Sequence, residues 1–162
     1  ELPGPTGESN MLYLEARGSL ACIRCEDTDF NFWLMSVISS LASGNCVVSV
    51  VDEKFERQAN AIGQLLKAAG VNPSVYQVAS INNLPAVTSD DKLAGAVVDN
   101  QSALKQLIGQ QIAARQGAIL PLITAHTNHS LLFRLVTEKT VTIDTTAAGG
   151  NASLMTMESN VA

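Results

Sequence analysis

Cys46-Val47-Val48-Ser49-Val50-Val51 sets five apolar residues around a single serine. Such a segment has no polar face to offer water, so it reads as a strand buried on both sides, the setting of a parallel sheet. Parallel neighbours cannot be joined by a tight turn; each connection must cross over, usually as a helix. The flanking sequence supplies those helices. Asp27-Thr28-Asp29 offers N-caps for one that carries Phe30, Trp33, Leu34, Val37, Ile38 and Leu41 on one face and stops at Gly44-Asn45. A second, over 53–69, turns Phe55, Ala59, Ile62, Leu65, Leu66 and Ala69 inward and is closed by Gly70.

The alternation extends along the chain. Residues 11–17 alternate in period two, Gly18 breaks them, and 20–25 is a short apolar strand. Further strands are expected over 75–78, 93–98, 118–124 and 140–144, with helices over 101–116 (on Leu104, Leu107, Ile108 and Ile112) and 130–135. Residues 80–92, with Asn82-Asn83, Pro85 and Ser89-Asp90-Asp91, read as a loop. Strand and helix in turn predict an α/β, Rossmann-like domain: a parallel sheet with helices on both faces. The expected organisation is a linker over 1–10, the Rossmann-like domain over 11–144 with an N-terminal strand arm, and a protruding C-terminal tail over 145–162.

Composition narrows the function classes. The 162 residues are 46% apolar and only 15% charged, lean for a small soluble protein; a well-buried α/β sheet accounts for most of the excess, and the thin charge coat also suggests a surface covered by something else. A net charge of −5 with ten scattered basic residues argues against nucleic acid. No apolar stretch approaches a membrane span, and the first residues do not read as a signal peptide. Three cysteines, an odd number, suit a reducing compartment, so cytoplasm is expected.

A Rossmann-like domain invites a dinucleotide, and the first strand-to-helix turn tests it. Phosphate needs glycines there, so that backbone N–H groups and the helix start can approach. The turn reads Cys25-Glu26-Asp27-Thr28-Asp29-Phe30, with three carboxylates and no glycine. Asp52, after the next strand, stands where a ribose-binding carboxylate could sit. Cys22-x-x-Cys25 lacks the further ligands a zinc site requires, and the acids after Cys25 are expected to raise its pKa. Buried thiols are the ordinary reading. His126 and His129 follow a strand beside Ser130, where α/β proteins place functional loops, but no third residue completes a triad or metal site. Trp33 reads as core.

The tail reads Thr145-Thr146-Ala147-Ala148-Gly149-Gly150-Asn151-Ala152-Ser153-Leu154-Met155-Thr156-Met157. Small residues permit close approach to another surface, Gly-Gly permits a sharp turn, and the end is apolar. Composition alone also fits a loose Gly/Ala/Ser tail. The stretch from Thr145 to Thr156 resembles the closing motif of proline utilization A, the bacterial family that oxidises proline to glutamate on one polypeptide. Leu2-Pro3-Gly4-Pro5-Thr6-Gly7-Glu8-Ser9-Asn10 resembles that family's junction between its aldehyde dehydrogenase module and its C-terminal domain. Leu41-Ala42-Ser43-Gly44-Asn45-Cys46-Val47-Val48 resembles the aldehyde dehydrogenase superfamily's cofactor domain. That superfamily continues to a lysine and a proline, the lysine holding the adenosine ribose; the matching positions here are Val50 and Val51. Its later Gly-rich turn would fall near Asp99-Asn100-Gln101-Ser102, which has no glycine.

The resemblance implies a non-catalytic C-terminal lid over the passage between two active sites. Their parent would combine an FAD-dependent proline dehydrogenase with an NAD-dependent 1-pyrroline-5-carboxylate (glutamate semialdehyde) dehydrogenase. No catalytic, cofactor or metal residue is then expected in this chain. Thr145, Thr146, Ala147, Ala148, Gly149, Gly150, Asn151, Ala152, Ser153, Leu154 and Met155 would dock on the aldehyde dehydrogenase module of the same polypeptide or of a neighbouring subunit. The parent would be cytoplasmic; an oligomer peripheral at the inner membrane is also compatible. The alternative is a small stand-alone nucleotide-binding α/β enzyme using Asp52 or the histidine loop.

Overall fold

Five strands, all parallel, form the sheet at the centre of the chain. The computed structural model describes residues 1–4, 7–124 and 128–144, the last stretch with side chains from Leu131 onward. Its strands are β1 (Glu8–Ala16), β2 (Ser19–Arg24), β3 (Cys46–Val51), β4 (Tyr76–Ser80), β5 (Leu93–Val97), β6 (Leu122–Ile123) and β7 (Val136–Asp144). Its helices are α1 (Phe30–Ala42), α2 (Glu53–Ala68), α3 (Leu84–Ser89), α4 (Lys105–Ala113) and α5 (Asn128–Arg134). The sheet order is β4-β3-β2-β5-β6, so the chain builds outward from β2 on one side and then crosses to the other. That reversal, between β2 and β5, is the switch point of an open α/β sheet.

Period-two alternation divides the core. Leu20 and Cys22 of β2 face a cluster containing Trp33, Val37, Ala59, Leu131 and Leu135, beneath α1, α2 and α5. Ala21 and Ile23 face Leu84, Ile108 and Ile112, beneath α3 and α4. The serine inside β3 has a partner: Ser49 Oγ accepts the Trp33 indole N–H at 3.0 Å. A fully buried polar atom is thereby satisfied. Asp29 starts α1 by accepting the Phe32 N–H at 2.9 Å. Gly44, at φ 83°, ends it in the left-handed conformation that glycine adopts without strain.

Several elements differ from the sequence reading. The region read as a loop over 80–92 contains α3, because Pro85 sits in the first turn of that helix, where its missing N–H costs nothing. α4 is shorter than 101–116, since Asp99 and Ser102 tie 99–104 into turns. β6 keeps only two residues of the expected 118–124; Pro121 precedes it and Ile119 is fully exposed. β4 is shifted to 76–80, and β7 begins at Val136 rather than 140. Phe30, Ile38, Leu65 and Leu107 were expected inward but are exposed, so the buried stripes of α1, α2 and α4 are narrower than their apolar patterns.

The described residues divide into two compact units, Ala16–Thr137 and a smaller one made of Glu1–Glu15 with 138–144. In the smaller unit β1 and β7 form a two-stranded sheet. Lys139 Nζ meets Glu15 at 3.0 Å and the Thr142 hydroxyl donates to Asn10 at 2.6 Å. Met11, Leu12, Tyr13, Leu14 and Ile143 are exposed there. A two-stranded ribbon is marginal by itself in water.

Asn45 joins three elements of the larger unit. Its amide nitrogen donates to Ser40 O at 3.2 Å and Leu135 O at 3.0 Å, and its oxygen accepts the Gly18 N–H at 3.1 Å. The residue is buried, so its removal strands backbone groups away from water. Asn45→Ala is expected to cost about 2–4 kcal/mol in urea denaturation; a loss below about 1 kcal/mol would show that water replaces these bonds.

Candidate functional site

The carboxyl ends of β2 and β5 are where an open α/β sheet places its ligand. Here the chain fills that crest with its own side chains. The Asp27 carboxylate accepts the Ala103 N–H at 2.7 Å and the Cys25 thiol at 2.9 Å. Asp99 accepts the Asp29 N–H at 3.1 Å and the Gln101 N–H at 3.0 Å. Thr28 Oγ1 accepts the Cys25 N–H at 3.1 Å, and Ser102 Oγ accepts the Leu104 N–H at 3.2 Å. Backbone donors of the kind that cradle a phosphate are thus spent on internal carboxylates and hydroxyls. A phosphate brought to 4 Å from one such carboxylate would meet a repulsion of about 4 kcal/mol at an effective dielectric of 20.

Beside this network, at the end of β2 next to β3, lies the Arg24 side chain. Its guanidinium carbon stands 3.8 Å from the Phe55 ring centroid and 4.9 Å from those of Phe30 and Trp33. Nη1 donates to Gln58 Oε1, while Nε is buried without a partner. Arg24 is only 5% exposed and belongs to neither of the two ion pairs among the described residues, Lys54–Glu26 and Lys139–Glu15. Burial lowers its pKa, yet a guanidinium stays charged at any ordinary pH. The rings supply the compensation: a desolvated cation–π contact contributes about 2 kcal/mol or more. No motif marks this residue in the sequence; the signal it carries is a charge closing an otherwise apolar strand, Leu20-Ala21-Cys22-Ile23-Arg24.

The other candidates separate. Cys22 Sγ lies 3.8 Å from Ser40 Oγ in the α1-side core, whereas Cys25 turns to Asp27, Thr28 and Ser102 at the crest. Burial pushes the Cys22 thiol up to about 12, against the Ser40 hydrogen bond. Burial, then the Asp27 carboxylate, raises Cys25. Neither is poised as a thiolate nucleophile. Asp52 occupies the N-cap position of α2 and makes no side-chain capping bond. Among the described residues no three His, Cys, Asp or Glu converge as a metal would require. His126 and the stretch expected to dock, Thr145–Met155, lie outside the described residues, as do the side chains of His129 and Ser130.

Comparison with known proteins follows this geometry. No family model matches the chain. The chain is similar to the bifunctional protein PutA of Escherichia coli K12, 32% identical over 160 residues, which are 96% of this chain and 11% of that protein. It is similar in structure to Bradyrhizobium japonicum proline utilization A, with a TM-score of 0.64 and 31% identity over 76% of this chain and 13% of the other. A NAD-dependent benzaldehyde dehydrogenase from Corynebacterium glutamicum shares the fold, with a TM-score of 0.61 and 18% identity over 76% of this chain and 26% of the other. The chain therefore spans about a tenth of the length of its PutA relative.

Two measurements check the crest. In the native chain Cys46, the least buried thiol, should react with a thiol reagent near pH 8 well before Cys22 and Cys25, and all three should react in denaturant. Asp27 has its carboxyl held below the usual carboxylate range, chiefly by the Ala103 N–H and then by the Cys25 thiol. A depressed folded-state pKa stabilises fully above the unfolded value near 3.9 and is lost as pH falls through the folded one. Asp27→Asn should therefore lower the urea midpoint by a constant amount from pH 7 to about 5, and the gap to wild type should close below about pH 4. A gap unchanged at pH 2.5 would assign the effect to packing instead.

Proposed function

We propose that this chain, a PutA-like piece with the fold of an aldehyde dehydrogenase cofactor domain, is a non-catalytic lid and docking domain of a bifunctional proline-catabolic enzyme. The parent would oxidise proline on FAD and then glutamate semialdehyde on NAD. This piece would close the passage that carries the intermediate and would brace the aldehyde dehydrogenase module. The observation that carries the reading is the crest: where an open α/β sheet places its ligand, the Asp27 and Asp99 carboxylates take up the backbone N–H groups, with Arg24 beside them. The likeness to PutA along nearly the whole chain supports the parentage. The exposed apolar ribbon of β1 and β7 supports a covered surface, since such residues gain about 25 cal/mol per Å² when removed from water.

In this reading residues 1–10 join the piece to the dehydrogenase module, and the tail from Thr145 docks on that module or on a neighbouring subunit. FAD and NAD belong to the parent's other modules, and the enzyme works in the cytoplasm. No helix among the described residues is long and apolar enough to cross a membrane.

Two experiments test the proposal. Calorimetry with NAD or FAD should show no saturable binding to this chain; a specific micromolar NAD complex would instead favour a nucleotide-binding enzyme acting through Asp52 or the loop of His126 and His129. In the full-length enzyme, deletion from Thr145 onward should reduce aldehyde oxidation by about tenfold or more and introduce a lag in coupled NADH production. Proline oxidation should be spared. Unchanged aldehyde oxidation without a lag would end the lid-and-dock reading.

A further inference from the structure

Arg24 poses a problem that the docking reading does not touch. A guanidinium taken from water into a crevice ordinarily brings a carboxylate with it, because an uncompensated buried charge is strongly destabilising. Among the described residues Arg24 has no such partner. It lies instead against Phe55, Phe30 and Trp33, with Gln58 Oε1 as an acceptor for Nη1. Phe30 and Trp33 stand on the first turns of α1, and Phe55 and Gln58 on the first turns of α2. The cation is thus shared by the N-terminal ends of two helices, beside the carboxyl end of β2. Rings around a cation, with one oriented amide oxygen, are also the elements by which proteins bind free cations.

We propose that Phe30, Trp33, Phe55 and Gln58 form a binding cage for a planar guanidinium cation, filled in this chain by its own Arg24, and that this internal ligand locks α1 to α2. The ring faces supply electrostatic attraction without a full negative charge, and the Gln58 oxygen sets the plane of the group. The requirement is therefore for shape as well as charge. A lysine retains the charge but lacks the fork and the flat face, and a methionine retains the packing but not the charge.

The test is chemical rescue of the 162-residue chain. Arg24→Ala should lower the melting temperature by about 5–10 °C. Methylguanidinium, titrated below denaturing concentrations, should recover at least half of that loss saturably. Methylammonium and sodium chloride at equal ionic strength should not, and wild type should show no such rise. Trp33 is the sole tryptophan, so its emission should change along the same binding curve. Arg24→Lys should melt between Arg24→Ala and wild type. If Arg24→Ala does not fold unaided, folding that appears on adding methylguanidinium supports the cage. Absence of saturable rescue, or an Arg24→Met chain as stable as wild type, would overturn it and reduce the rings to ordinary packing.

Discussion

Every hydrogen-bonded pair in the central sheet is parallel, and that constraint organises the rest of the larger unit. A parallel pair cannot close with a hairpin, so each strand end must send the chain across a face of the sheet before the next strand begins. The crossovers bring α1 and α2 over one face and α3 and α4 over the other. With both faces covered, β2 and β3 can be apolar almost throughout. The strand order then reverses beside β2, and the connections leaving the carboxyl ends of β2 and β5 run to opposite faces of the sheet there. A crest is left that has to be filled by a ligand or by the chain itself.

This chain fills it with charge of the sign that a phosphate would have brought. Asp27 and Asp99 receive N–H groups from Ala103, Asp29 and Gln101, so the donors are satisfied and the loops are fixed to one another. An aldehyde dehydrogenase-like fold and a carboxylate-filled crest are therefore not in conflict. The framework depends on burial and crossover geometry, while cofactor binding depends on a few positions at the crest that the framework does not dictate. Between α1 and α2, Arg24 completes the closure with a cation held by rings.

The polar atoms inside the core follow the same logic of internal satisfaction. Trp33 reaches Ser49, the Tyr76 hydroxyl reaches Ala59 O, and Asn45 ties the starts of β2 and β3 to the ends of α1 and α5. Each such bond adds only about 1 kcal/mol net, but leaving its partner unmade costs more, so these contacts select one arrangement of helices over near alternatives.

The sequence by itself determined the class of fold. The apolar run at 46–51, the caps at Asp29, Gly44 and Gly70, and the strand-helix alternation are local signals, and local signals fix where elements form. The glycine-free turn after Cys25 likewise carried the absence of a phosphate motif in its own residues. Only the tertiary structure decided which residues meet. That Asp27 would reach Ala103, seventy-six residues away, or that Phe30, Trp33 and Phe55 would converge on Arg24, depends on strand order and crossover, which no local pattern encodes. The width of each buried stripe belongs there too. Leu65 and Ile38 repeat at core spacing yet face outward, because burial is set by where neighbouring elements end and not by the helix's own period.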